Sequence, residues 1–337
     1  MSREHEKDHG REAGETVADD VFEAIRRSCG EVARRARTVR IDDAGLEAFA
    51  TRLAARPWSG QDLDPAHHFR GSEAETLAFV IALDAINFGS GWFPALRKRQ
   101  GLSGYRTIAT ACKERFEREG VWSGETLRAT TVESMAAMLD QDIHDSEVAE
   151  LMALYAKAWR DLGSWLRNRH ADRFESVVES AAGSAAQLVR SLAEMTLYRD
   201  VVRYEELEVP FYKRAQITVA DLARAFDPGA GPRFEDLDSL TLFADNLVPH
   251  VLRCEGVLAY DATLAARIDG EQLVDFGSPE EVEIRASAVE AVERLTIALA
   301  DRDRPTTAHA LDGLLWNAGQ APAIKARPRH RTRCPYY

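Results

Sequence analysis

No apolar run in the chain approaches the roughly 18 residues that a membrane span needs, so a membrane protein is not expected. The first twenty residues are polar and charged and lack the apolar core of a secretion signal. Residues 1–17 are expected to form a disordered tail and 18–337 the folded domain. Cysteine is scarce: Cys29, Cys112, Cys254 and Cys334 lie far apart and make no Cys-x-x-Cys pair. That spacing argues against a zinc site and a disulfide framework and for reduced thiols in the cytoplasm. Positive charge is in deficit, with 43 Lys and Arg against 55 Asp and Glu, a net charge of −12. Stable binding to nucleic acid needs a basic face to neutralise phosphates, and none is visible overall. There is no P-loop, no Gly-x-Gly-x-x-Gly after a strand and no Gly-x-Ser-x-Gly elbow. His67, His68 and His309 lack metal-ligand spacing, so neither metal nor cofactor is expected. No internal repeat, low-complexity segment or linker divides the chain.

What is present is helical periodicity. With 45% hydrophobic residues over 337 positions, the chain can bury a sizeable core. Val148, Leu151, Met152, Tyr155, Trp159, Leu162 and Leu166 form one apolar stripe over 146–167, a core pattern. Ser72 and Glu75 read as a capping box, and Ser278-Pro279-Glu280-Glu281 as a helix start. Pro210 is expected to open a helix carrying Phe211, Ala215, Val219 and Leu222, and Leu240–Asn246 to be helical. Asp200–Tyr204 and Gln272–Phe276 are the only strand candidates. The fold class is mostly α: an elaborated helical domain, in one lobe or two, with at most a few short strands.

Four places hold chemistry-bearing residues against this pattern. Leu77, Val80 and Ile81 mark an apolar face, and at helical spacing the next positions on it are Asp84, then Asn87 and Phe88. Gly89-Ser90-Gly91 follows, where backbone can approach a ligand closely, and then Trp92 and Phe93. Carboxylate, amide, bare backbone and aromatic plates suit a planar hydrogen-bonding ring such as a nucleobase. A plain helix end with a hydrophobic turn reads equally well. Lys213 falls in the first turn after Pro210, where the helix dipole disfavours a cation unless an anion is near; the alternative is an exposed lysine. Asp245 lies in an apolar stretch before Pro249, either projecting into a cleft or capping the next helix. The C-terminal segment carries Lys325, Arg327, Arg329, Arg331 and Arg333. A basic segment on an acidic body docks on it, or supplies a phosphate site through Arg forks.

Phe211-Tyr-Lys213-Arg-Ala-Gln216-Ile-Thr-Val-Ala-Asp221-Leu, Leu242-Phe-Ala-Asp245-Asn-Leu-Val-Pro249, Gly277-Ser-x-Glu-Glu-Val-Glu-Ile-Arg285, Asp84-Ala-Ile-Asn87-Phe88 and His330-Arg-Thr-Arg-Cys-Pro-Tyr-Tyr337 resemble the queuosine salvage protein family over roughly 20–337. The resemblance implies an N-glycosidase that hydrolyses queuosine 5′-monophosphate, or a related 7-deazaguanine nucleotide. It would release queuine for reuse in tRNA and leave ribose 5-phosphate. The implied fold is distantly similar to helix-hairpin-helix DNA glycosylases. Asp245 and Lys213 are the implied catalytic pair, with Asp245 stabilising an oxocarbenium-like ribose. The substrate-binding candidates are Asp84, Asn87, Phe88, Ser90, Trp92, His67, Arg331 and Tyr337. Asp84 and Asn87 would meet the base edge, with Phe88 and Trp92 stacked on the ring. Where the family pattern has Asn-Phe-Ser-Phe-Trp, this chain has Asn87-Phe88-Gly89-Ser90-Gly91-Trp92-Phe93, and the added glycines are expected to reshape the base pocket. The rival reading is a non-catalytic nucleobase-binding protein that uses the same pocket.

Overall fold

Helix starts follow the capping chemistry of the sequence. The computed structural model describes residues 20–58, 63–227 and 229–337. The expected tail over 1–17, the stop at Ser59-Gly60 and Pro228 of the turn-rich break lie outside the described residues. In chain order the elements are α1 (Val21–Arg35), β1 (Val39–Ile41), α2 (Asp43–Ala54), α3 (Glu73–Asp84), α4 (Gly104–Glu119), α5 (Gly124–Arg128) and α6 (Val132–Leu139). Then come α7 (Ser146–His170), α8 (Glu175–Ser180), α9 (Ala185–Leu192), β2 (Val201–Tyr204), β3 (Leu207–Pro210) and α10 (Lys213–Arg224). The last part holds α11 (Val248–Cys254), β4 (Leu258–Tyr260), α12 (Ala262–Asp269), α13 (Pro279–Ala300), α14 (Ala308–Ala318) and α15 (Pro322–Lys325). The Ser72–Glu75 capping box forms in full. Asp42, Ser103, Ser278 and Thr307 cap α2, α4, α13 and α14 through side-chain oxygens. Each such cap contributes about 1 kcal/mol. The only strands among the described residues form two antiparallel pairs, β1 with β4 and β2 with β3.

Two helices are buried on every side. Thr76–Asp84 of α3 and Glu281–Val289 of α13 are buried without interruption. The expectation of a single apolar face on α3 is therefore corrected: small Ala78 and Ala82 let neighbours close on the side opposite Leu77 and Ile81. α13 runs through the centre and packs on α1, α2, α11 and α14, while α10 packs on α3 and α9. This arrangement brings the end of α3, the start of α10 and α14 to one cavity.

Other expectations also change. Pro210 ends β3, paired with Val201, and does not open the helix. The chain turns first because the Asp200 carbonyl accepts from Phe211 N (2.8 Å) and Tyr212 N (3.2 Å), and Tyr212 adopts φ 47°. Leu240–Asn246 is not helical. The Thr241 amide donates to Gln216 Oε1 (2.8 Å) and the Phe243 amide to Asp312 Oδ1 (3.2 Å). Side chains take the donors that a helix would have paired. Gln272–Phe276 is not a strand; it meets the C-terminal segment through Val274 N to Arg331 O (2.9 Å) and Thr332 Oγ1 to Val274 O (2.8 Å). Asp200–Tyr204 does supply a strand, as β2, and the 146–167 stripe becomes α7, 25 residues long.

Candidate active site

A cavity of about 690 Å³ opens between the end of α3, the start of α10, the loop 240–247, α14 and the C-terminal segment. Gly89-Ser90-Gly91 makes this convergence sterically feasible. Gly89 takes φ 101°, a conformation that favours glycine, and its amide donates to the backbone oxygen of Tyr337 at 2.9 Å. A Cβ on Gly91 would lie 2.3 Å from the Thr332 carbonyl oxygen. The close backbone approach expected of these glycines is therefore made by the chain's own C-terminal segment. Phe88, one residue earlier, lines the cavity; Arg214 covers its ring at 4.6 Å and Tyr155 meets it edge-on at 4.9 Å.

Lys213 and Asp245 both line the cavity. Lys213 is the first residue of α10 and is buried; its ammonium donates to the Asn87 carbonyl at 3.3 Å. Burial depresses its pKa, and the nearby Asp245 carboxylate opposes that effect most strongly. The anion that a lysine needs at a helix N-terminus is thus present. Asp245 Oδ1 accepts from the amides of Leu247 (2.7 Å) and Val248 (2.9 Å) at the start of α11. Both readings of Asp245 hold: one oxygen caps a helix, and the carboxylate faces the cavity.

Further carboxyls stand near this pair. Asp312, from α14, lines the cavity with Oδ1 held by the Phe243 amide. Burial, with Asp245 close by, pushes its pKa up to about 8, so it is mostly neutral at pH 7. Asp221 also lines the cavity and pairs with Arg224 at 2.7 Å. Neither had been picked out as a site residue from the sequence; Asp312 looks like an ordinary acid between Leu311 and Gly313, and only helix packing turns it inward.

Asp84 departs from expectation. It is buried behind the cavity wall and is not among the lining residues. Its Oδ1 accepts from Asn87 Nδ2 at 3.3 Å, and Oδ2 has no hydrogen-bond partner. Burial and the neighbouring Asp221 carboxylate hold its pKa well above the usual range, and its place behind the wall keeps it away from a base edge. It orients Asn87, which does line the cavity. Trp92 is corrected too: it is buried outside the lining and donates its indole N–H to Glu150 at 2.8 Å. The aromatic walls are Phe93, Tyr105, Phe243 and Trp316, with Tyr105 and Trp316 edge to face at 6.2 Å.

The remaining candidates line the cavity. Ser90 brings a hydroxyl oxygen that is buried and unpartnered. His67 Nδ1 bonds Thr110 at 2.8 Å, and burial lowers its pKa. Arg331 donates to the Glu271 carbonyl at 2.7 Å, and the Tyr337 phenol donates to Glu281 at 2.8 Å. The basic segment docks on the body, with Arg333 paired to Glu147. It also turns Lys325, Arg327 and Arg329 to the cavity, opposite Lys98 and Arg106. Desolvation, then the guanidiniums of Arg106 and Arg329, lower the pKa of Lys325; desolvation and Arg329 do the same to Lys98. Desolvation also lowers Arg329, against the pull of Asp245. Cations crowded this way beside a carboxylate form a cradle for an anion.

The sequence profile of a family described as queuosine salvage protein matches residues 67–337. A Sphaerobacter thermophilus protein named queuosine 5′-phosphate N-glycosylase/hydrolase is 36% identical over 299 residues, covering 86% of this chain and 89% of that protein. A Mus musculus protein of the same name is 29% identical over 338 residues, 93% and 98% of the two chains. One from Dictyostelium discoideum is 33% identical over 264 residues, 78% of each.

Proposed function

The chain belongs to the queuosine salvage protein family, and from that membership we propose that it hydrolyses the N-glycosidic bond of queuosine 5′-phosphate. Water adds at C1′, the bond to the base breaks, and free queuine and ribose 5-phosphate leave. The observation that carries this reading onto the residues is the placement of Asp245. It lies in one cavity with the cations Lys98, Arg106, Lys325 and Arg329 and with aromatic walls at Tyr105 and Trp316. A ribose 5-phosphate fits that polarity, its phosphate on the cations and its anomeric carbon by the carboxylate.

Each residue then has a task. Asp245 stabilises positive charge that builds on the ribose and orients the attacking water. Its position is fixed before reaction because the Leu247 and Val248 amides hold Oδ1. Lys213, buried in the same cavity, sets a positive charge near that carboxylate. In a 7-deazapurine, position 7 is carbon, so the usual protonation of a leaving purine at N7 is closed. Asp312, neutral at pH 7, is the group at hand to supply a proton to the departing base at another atom. The two carboxyls in one cavity thus divide the work, Asp312 as proton donor and Asp245 as the charge beside the ribose. Asn87 presents an amide to the base edge, and the aromatic walls cover its faces. No helix among the described residues is long and apolar enough to cross a membrane, and the cysteines are free thiols. Both support a reaction on free nucleotide in the cytoplasm.

The test is mass spectrometry of products from a panel of nucleoside 5′-monophosphates, with queuosine, guanosine and 7-deazaguanosine members, for the wild type and Asp245→Asn. The enzyme should release queuine, and the variant should lose a factor on the order of 10²–10⁴ in rate while still binding the base. Base binding without turnover in the wild type would establish a nucleobase-binding protein instead.

A further inference from the structure

One guanidinium at the centre of the molecule touches the supports of the loop before α11, the start of α10 and the C-terminal segment. Arg285, on α13, has no solvent exposure. Its Nε donates to the carbonyl of Ala244, the residue before Asp245, at 3.0 Å. Nη1 and Nη2 donate to the two Asp200 oxygens at 3.1 and 2.5 Å. Asp200 Oδ2 also accepts from the Lys213 amide at 3.3 Å, and its carbonyl accepts from Phe211 and Tyr212. The guanidinium carbon lies over the rings of Phe211 (3.9 Å) and Tyr337 (4.6 Å). Tyr337 in turn donates to Glu281, which lies 3.5 Å from Nη1, and its backbone oxygen holds the Gly89 amide.

Lys213 and Asp245 come from separate elements. Among the described residues, Gln216 ties α10 to the loop at Thr241, four residues before Asp245. We propose that Arg285 is a positioning residue that sets Asp245 against Lys213, a role that rests on the hydrolase reading above. The geometry requires an arginine. Three directions of donation are used in one plane, and the cation also meets two aromatic rings. A lysine has one nitrogen and no plane, so it can serve Asp200 or Ala244 but not both. Misplacement of a reacting group by about 1 Å costs on the order of 100-fold in rate.

The experiment compares the wild type, Arg285→Lys, Asp245→Asn and the double variant for turnover of queuosine 5′-phosphate. Alongside, the ammonium of Lys213 is titrated by NMR in the wild type and Arg285→Lys. Arg285→Lys is expected to lower kcat about 100-fold with KM changed less than about threefold. In the Asp245→Asn background the lysine should cost little more, because the carboxylate it positions is gone. The charges that face Lys213 are Asp245, Arg214, Asp312 and Asp84; as Asp245 withdraws, Lys213 should titrate at lower pH. If Arg285→Lys fails to fold, Asp200→Asn weakens the same ion pair from its other side and is expected to act in the same direction. A folded Arg285→Lys or Asp200→Asn with wild-type kcat, full additivity in the double variant, or an unmoved Lys213 titration would overturn the proposal. If the wild type itself shows no turnover, the hydrolase reading fails, and the Lys213 titration still decides whether Arg285 sets the pair.

Discussion

Asp312→Asn should make the protein more stable and less active, and both effects should follow pH. The Asp312 carboxyl is buried and its pKa rises from 3.8 to about 8, first through desolvation and then through Asp245. Because the folded state holds the proton more tightly than the unfolded chain, stability is fully present below about pH 4 and falls as pH rises toward about pH 8. At roughly 1.4 kcal/mol per unit, the loss at pH 7 amounts to about 4 kcal/mol. Asparagine has nearly the same shape, has no charge to bury and can still accept from the Phe243 amide. The variant should match the wild type near pH 4 and melt about 5 °C or more above it near pH 7. Activity should move the other way: an amide cannot give up a proton, so kcat should fall by about 10²–10⁴. Wild-type kcat should decline above about pH 8 as Asp312 ionises. The assays are thermal melts and initial rates across that pH range. Melting temperatures that run parallel for the two proteins, or a variant with wild-type kcat, would refute the argument.

Replacing Lys325 or Arg329 with Gln should raise KM for the 5′-phosphate about tenfold each and leave weak binding of the unphosphorylated nucleoside unchanged; equal effects on both ligands would remove the cations from the phosphate site. Asp84→Asn should keep kcat/KM within about threefold, because the side chain lies outside the cavity lining and an amide oxygen can still accept from Asn87; a large loss would return Asp84 to direct contact with the base. Gly91→Ala drives a methyl into the Thr332 carbonyl and should cost about 1–3 kcal/mol in a denaturant titration, with turnover impaired as the C-terminal segment shifts. A variant as stable as wild type would show that the segment yields without strain.

The helical class, the cap residues, the long α7 stripe and the two residues most suited to the chemistry could be read along the chain. Each is a local matter: caps work within a few residues, and amphipathic periodicity needs only one helix. Lys213 and Asp245 stood out because each breaks a local rule, a cation at a helix start and an acid in an apolar stretch. The tertiary structure decided what those side chains face. Asp84 and Asp312 are both acids beside apolar neighbours, yet Asp312 enters the cavity and Asp84 stops behind its wall, because α14 turns Asp312 inward while the turn after α3, at Asn87 and Phe88, lines the cavity in front of Asp84. Trp92 is turned into the body by Glu150, more than fifty residues away along the chain. The glycines of the turn signalled close backbone approach, but the partner that approaches is the C-terminal segment. Protonation states belong to the same class of outcome. A pKa depends on desolvation and on charges within a few ångströms, so the neutral Asp312 beside Asp245 arises only when five remote segments close around one cavity.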